Sequence, residues 1–364
     1  MSYNSPAVIY VSIVKGTRQK EVKSMKVARL YDIDKIIIEE EEVPEPGPGE
    51  ALVKMKACGI CSSDVTPWYV RRKAPLVLGH EPAGVIAKIG QGVTHVRVGD
   101  RVFLHHHAPC LVCSLCRRGL YTLCETWKKS KIVPGGIAEY VLIPDINLRH
   151  DTLILPEEIS YEDGTLVEPT ACVVKSLKKG GLASGDTLLV IGLGVMGQLH
   201  ILLSRHYGAR TIIGADRVGY RLEKAKEFGA DYLIDVSERN LIDEVQEATG
   251  GAMADLVIVG PGSAGAMQTG IACTGKGGRV LFFAPAPEEV TLEINPFFLY
   301  FQEMTLLSSY SCGPYDTREA LELARKRVVS AEKLVTHRFP IEETAQACRT
   351  TAEAGDSLKA IIVF

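Results

Sequence analysis

The chain has 364 residues, of which 46% are hydrophobic and 23% charged, and its formal net charge is -3. This length predicts two domains or one large one, with the composition of an ordinary soluble globular protein. A near-neutral balance without any Lys/Arg-rich run argues against nucleic acid as a partner, and no apolar run is long enough to span a bilayer.

Residues 1–24 read as an extension, and Met25-Lys26-Val27 opens the first strand-like pattern, with Met25 as an alternative start. Ala7–Val14 is apolar but short, lacks a basic segment before it and is followed by Lys15-Gly16-Thr17-Arg18, so it does not read as a signal peptide. From there to about residue 165 the chain predicts short strands broken by Gly and Pro, among them Ala51–Ala57, Gly84–Ile89, Arg101–Leu104 and Ala138–Ile143. The run Pro44–Gly49 predicts a turn between strands. After Glu168 strands alternate with helices: a strand over Thr187–Ile191, a Gly-rich turn and a helix to about Tyr207, a strand over Thr211–Ala215 and a helix over Tyr220–Phe228. Leu256–Val259 and Arg279–Phe283 read as further buried strands, Arg318–Arg325 as a helix and Ala360–Phe364 as the last strand. The alternation implies an α/β fold with a parallel sheet covered on both faces.

Three groups of residues carry chemistry. Cys110-x2-Cys113-x2-Cys116-x7-Cys124 has the spacing of four thiolates around one tetrahedral ion, a closed shell that suits structural zinc. Unrelated thiols or a pair of disulfides are the alternative. Ten cysteines, four of them clustered, suggest metal use in a reducing compartment, hence a cytoplasmic protein. Gly192-x-Gly194-Val195-Met196-Gly197 follows a strand and opens a helix, the setting in which such a loop binds a dinucleotide pyrophosphate. Asp216 stands 24 residues after Gly192, where a carboxylate accepts the ribose hydroxyls of NAD and repels the 2′-phosphate of NADP. Arg217 beside it argues the other way, and Arg221 lies either along the adenosine ribose or on a helix surface. The third group is Cys61 with Gly79-His80-Glu81, a mixed S/N/O set that leaves room for water or substrate. Each of these residues taken alone has a bland reading as a buried thiol or a turn histidine.

In combination these segments are similar to the zinc-dependent medium-chain dehydrogenases, the family of alcohol, sorbitol and threonine dehydrogenases. The resemblance runs from about Met25 to Phe364. It rests on Gly59-Ile60-Cys61-x-Ser63-Asp64, Gly79-His80-Glu81-x-x-Gly84, Val98–Val102, the four-cysteine lobe, Gly135-Gly136-x-Ala138-Glu139-Tyr140, Glu168-Pro169 and the Gly192 loop. It implies a GroES-like β-rich catalytic domain over 1–167 and 312–364, and a Rossmann domain over 168–311. Two zinc ions per chain follow: a structural one on Cys110, Cys113, Cys116 and Cys124, and a catalytic one on Cys61, His80, Glu81 and Glu168. Cys58 and Cys172 are left as buried thiols. Val259-Gly260 and Ala284-Pro285 would hold the nicotinamide.

The implied reaction is reversible hydride transfer between a secondary alcohol or polyol and NAD, with Ser63 accepting the alcohol proton. Many relatives have a relay His where this chain has Thr66, so the proton must leave through water, a ribose hydroxyl or another residue. His106 borders the substrate cleft or serves in that relay; equally, His105-His106-His107 reads as a solvated loop. Trp68 and Tyr69 line the cleft mouth or pack in a core, and Ser308–Tyr315 borders the substrate. An aldose or 3-hydroxy amino acid dehydrogenase is the alternative on the same scaffold. A zinc-lobe binding protein and a zinc-free quinone reductase fit the residues less well. By resemblance the chain forms a dimer or tetramer, and its partner is a small molecule.

Overall fold

The computed structural model describes residues 23–364; Ala7–Val14 and nearly all of the N-terminal extension lie outside the described residues. Three sheets organise the chain. The strand Ser24–Asp32 pairs with Lys35–Glu42 on one side and Leu76–Val77 on the other. A seven-stranded sheet runs in the order Val335–Pro340, Lys359–Val363, Ala51–Gly59, Glu81–Ile89, Arg101–Leu104, Thr152–Ile154, with Tyr140–Ile143 also paired to Ala51–Gly59. The third sheet is wholly parallel, in the order Tyr232–Asp235, Thr211–Asp216, Thr187–Ile191, Ala254–Val259, Thr274–Phe282, Thr305–Ser308. All five residues of Thr187–Ile191 are buried, which is why this strand reads as a continuous apolar run with no alternation.

Local differences from the sequence reading have local causes. The strand expected to begin at Arg279 begins at Thr274, because Thr274 pairs with Ala254 before the register shifts across the glycines. The strand expected from Ala138 begins at Tyr140; Ala138 makes only an isolated bridge to Val27. The helix expected from Arg318 begins at Pro314, where Asp316 accepts the Gly313 N–H at 2.9 Å and closes the first turn.

Two helices are shared between the sheets. Val167–Gly180 buries Val173, Val174 and Leu177 against Leu188 and Val190 of the parallel sheet, and Val167 and Ala171 against Phe103 of the seven-stranded one. Pro314–Arg325 does likewise, with Leu323 in the first core and Ala320, Leu321 and Ala324 in the second. Among the described residues no helix is long and apolar enough to cross a membrane.

Candidate active site

The antiparallel register sets Gly59 opposite Glu81 and, across the other edge, opposite Ile361. Cys61 therefore emerges beside His80 and Glu81 at the same end of two adjoining strands. Their ligand atoms lie within 4.8 Å of one another. Asp64 is buried under them: it accepts the Cys61 N–H at 3.0 Å and sits 3.5 Å from His80 Nδ1. Burial opposes charging His80, but the Asp64 carboxylate and the Cys61 thiol outweigh it and hold the pKa well above its ordinary value. Lys359 completes the floor. Its ammonium pairs with Glu81 and donates to the Ile60 carbonyl at 2.9 Å, and both side chains of the pair are 1% exposed. Cys58 is fully buried, its thiol pushed up by desolvation, and stands outside the donor set.

Glu168 does not converge with these three. From the first turn of its helix it lies within 4.8 Å of His105 and Cys312, and its Oε1 accepts the Cys172 thiol at 3.4 Å. Its charge is nevertheless felt at Glu81. The histidine run is not a solvated loop. His105 is fully buried, with Nδ1 2.6 Å from Asp151. His106 packs 5.1 Å from His80 between ring centroids, and its Nδ1 is buried without a hydrogen-bond partner. Burial, and then the charge of its histidine neighbours, push its pKa well below the ordinary value, so this imidazole is neutral. Thr66 donates its hydroxyl to the Ser62 carbonyl at 2.8 Å, which commits that proton to the turn. Ser63 lies half-buried on the 3-10 turn after Cys61. Trp68 is half-buried and meets Tyr69 edge-on at 5.6 Å, outside the core clusters. In the segment expected to border the substrate, Tyr310 stands edge-on to Trp127 at 5.6 Å.

In the lobe, the sulfurs of Cys110, Cys113, Cys116 and Cys124 also lie within 4.8 Å of one another, and all ten cysteines are free thiols, which removes the disulfide alternative. The backbone N–H groups of Val112 and Cys113 lower the Cys110 thiol. Trp127, 2% exposed, packs on Cys116 and Cys124.

The third site is a cavity of about 620 Å³ at the carboxyl ends of the parallel strands, lined by Gly192, Asp216, Arg217, Arg221 and Arg239. Gly192 turns the chain at φ +88°, and a Cβ on Gly197 would stand 2.1 Å from the Gly192 carbonyl, so helix and strand meet there only through glycine. Gly194 caps the helix Val195–His206, whose first turn contains Val195, Met196 and Gly197. Asp216 accepts the N–H groups of Leu193 at 2.6 Å, Arg217 at 2.7 Å and Val218 at 3.0 Å, and Arg221 approaches to 3.7 Å. Arg221 thus belongs to the cavity and not to an open helix surface. Val259-Gly260 closes the strand Ala254–Val259 and Ala284-Pro285 follows the adjoining parallel strand Thr274–Phe282, with Gly260 N–H bound to the Ile191 carbonyl at 2.8 Å.

The alcohol dehydrogenase GroES-like domain matches residues 47–150, and the zinc-binding dehydrogenase domain matches residues 195–326. Sorbitol dehydrogenase of Gallus gallus is 31% identical, covering 89% of this chain and 92% of the relative. The chain belongs to the zinc-dependent medium-chain dehydrogenase family. L-threonine 3-dehydrogenase of Pyrococcus horikoshii is 30% identical over 95% of this chain and 99% of its own. Among solved structures, 2R,3R-butanediol dehydrogenase from Bacillus subtilis superposes with a TM-score of 0.82 at 27% identity, over 94% of this chain and 100% of that one. The dehydrogenase is therefore an oxidoreductase with a small-molecule substrate.

Zinc fits the residues of this medium-chain dehydrogenase at two places. Four convergent thiols suit a closed tetrahedral shell, and one thiol, one imidazole and one carboxylate suit a site with an open position. Several residues of the site carried no sequence signal. Lys359, Asp151 and Arg239 come from segments far from the motifs, and only strand pairing and helix packing bring them in. Asp64 alone sat inside a motif, three residues after Cys61, where its carboxylate could have been read as a cap on that turn.

Proposed function

We propose that this chain catalyses the reversible oxidation of a secondary alcohol or polyol with NAD. The observation that carries this is the convergence of Cys61, His80 and Glu81 at one strand end. Arg72, just past the helix that follows Ser63, reaches Glu288, in the loop after Thr274–Phe282, at 3.8 Å, which supports a shared cleft.

Held by Cys61, His80 and Glu81, with Glu168 facing from the neighbouring helix, zinc would supply Lewis acidity toward an alcohol oxygen, and the dinucleotide would supply the hydride acceptor. The protein's own residues do the rest. Asp64 orients His80, and Lys359 balances the Glu81 charge in a dry interior. Ser63 receives the substrate hydroxyl proton. With the Thr66 proton committed to Ser62, onward transfer runs through water or the ribose. His106, neutral and with a free Nδ1, hydrogen-bonds a second polar group of the substrate. Relatives named for sorbitol, threonine and 2R,3R-butanediol share an alcohol next to another heteroatom, which supports this class. Asp216, fixed by three backbone N–H groups, binds the ribose hydroxyls; this favours NAD over NADP despite Arg217 and Arg239.

We further propose catalytic residues 1–167 and 312–364 around a Rossmann unit 168–311, and a cytoplasmic setting in keeping with ten free thiols. A homo-oligomer would cover the edge strand Thr305–Ser308 and the exposed Phe297, Tyr300 and Phe301 beside it. The test of function is NADH absorbance with a panel of polyols, diols, amino alcohols and sugars, run with both nicotinamide cofactors. A flat response throughout would reject the reading.

A further inference from the structure

The helix that opens at the Gly192 loop carries a buried histidine that neither the metal donors nor the lining of the coenzyme cavity includes. His200 lies on the second turn of Val195–His206 and is 1% exposed. Its imidazole links three elements. Nδ1 is 2.7 Å from the Met196 carbonyl in the first turn of its own helix, and Nε2 is 2.7 Å from Ser176 Oγ on the helix Val167–Gly180. The ring meets that of Phe283 edge-on, with centroids 4.8 Å apart and planes at 89°.

Hydrogen accounting fixes the tautomer. Burial keeps the ring neutral, so it holds one proton. The Met196 carbonyl can only accept, which places that proton on Nδ1 and leaves Nε2 as an acceptor. Nε2 therefore takes the hydroxyl proton of Ser176, whose Oγ also stands 2.8 Å from the Val173 carbonyl. Ser176 is thus drawn from a bond within its own helix into one between two helices. The core cluster that both helices share is otherwise apolar, with Val173, Val174, Leu177 and Leu199 among its members. A leucine would fill such a place at lower desolvation cost, so what the imidazole adds is direction.

Phe283 is the consequential partner. It directly follows the strand Thr274–Phe282 and precedes Ala284-Pro285, and its N–H donates to the Val259 carbonyl at 3.0 Å. The two segments read as holding the nicotinamide, Val259-Gly260 and Ala284-Pro285, therefore meet at this residue. Its ring is half-buried, and His200 holds it from the core side. Through Ser176 the same imidazole is tied to the helix whose first turn carries Glu168.

We propose that His200 is a positioning residue for the nicotinamide: by bridging Ser176 and Phe283 it sets the loop 283–285 against the helix that carries Glu168. The inference rests on the coenzyme reading above and deepens it, because the segments that would hold the nicotinamide take their place from a buried residue outside the cavity.

The test compares NADH with ADP-ribose, which shares every part of the coenzyme except the nicotinamide, in calorimetric titrations of the full chain. His200→Leu keeps an apolar side chain in the core but loses both hydrogen bonds and the edge-on ring. It should weaken NADH binding by about 5-fold or more, the scale of ordering one or two side chains on binding, while ADP-ribose changes by less than about 2-fold. Phe283→Leu, at a half-buried position where folding is less at risk, should show the same selectivity, and His200→Gln should recover part of the NADH affinity. If the wild type prefers NADPH, the same comparison is made with NADPH and 2′-phospho-ADP-ribose. Equal weakening of both ligands, or no weakening of the dinucleotide in either leucine variant, would overturn the role, since a residue that serves only packing has no means to tell them apart. Wild-type protein that binds neither NADH nor NADPH would instead reject the coenzyme reading on which the inference stands.

Discussion

Lys359 neutralises Glu81 in the interior: the two form an ion pair in which neither side chain is more than 1% exposed. The lysine comes from the strand Lys359–Val363 and the glutamate from the start of Glu81–Ile89, with Ala51–Gly59 between them. Removing one partner of a buried pair typically costs about 3–5 kcal/mol, because the other charge is left uncompensated. Lys359→Met should lose that much in denaturant unfolding, and Lys359→Met/Glu81→Gln should recover part of it. A loss below about 1 kcal/mol in the single variant would mean that the pair is solvated.

Cys61→Ser should lower kcat/KM by at least about 100-fold, more than the loss of a residue that merely orients a ligand. It should also remove one zinc ion per chain by elemental analysis. Full turnover with unchanged zinc would show that the donor set has another purpose.

The lobe has its own reporter. Trp127 packs on Cys116 and Cys124, whereas the other tryptophan, Trp68, lies on a short helix away from the lobe. Cys113→Ser should release one zinc and shift the Trp127 emission to the red as the lobe loosens. An unchanged spectrum with full zinc content would show that the lobe closes without that thiolate.

Asp216→Gly removes both the proposed ribose acceptor and the anchor of Leu193 N–H, and it leaves Arg217, Arg221 and Arg239 around the cavity. The KM for NAD should rise by about 10-fold or more, since each lost charged hydrogen bond is worth about 1.5–3 kcal/mol, while the KM for NADP falls or holds. Equal changes for both cofactors would discard the ribose argument.

His200 supplies a pH signature remote from the metal donors. It is 1% exposed, with Nδ1 2.7 Å from the Met196 carbonyl and Nε2 2.7 Å from Ser176 Oγ. Burial lowers its pKa to about 4 from an ordinary 6.5. Between these values the unfolded chain binds the proton and the folded one does not, so stability falls as pH drops from 6.5 toward 4 and levels off below. The contribution is on the order of 3 kcal/mol. His200→Gln should flatten unfolding free energy across that window; an unaltered slope would locate the titration elsewhere.

Sequence legibility followed the range of the interactions involved. Thr187–Ile191 and Arg101–Leu104 were readable because burial on both faces leaves an apolar run with Gly or charged residues at its ends. Cys110 to Cys124 and the Gly192 loop were readable because each site is built within one short segment. Glu168 was read with Cys61, His80 and Glu81, whereas its side chain lies beside His105 and Cys312, which come from other elements and left no trace in the local sequence. The histidine run could be read equally as a cleft border or as a solvated loop for the same reason. Polar residues in series suggest solvent, and it is Asp151, at the end of the helix Asp145–Asp151, that makes a buried His105 tolerable.

The bond from Lys359 Nζ to the Ile60 carbonyl spans 299 positions. A ribosome must therefore release the whole dinucleotide-binding sheet before the floor beneath Cys61, His80 and Glu81 can close. Until then these donors stand at an open strand end, with Glu81 lacking its counter-charge. A metal held by Cys61, His80 and Glu81 would therefore be captured only once Lys359 has been made, whereas the cysteine lobe, contained in one short segment, could load earlier in synthesis.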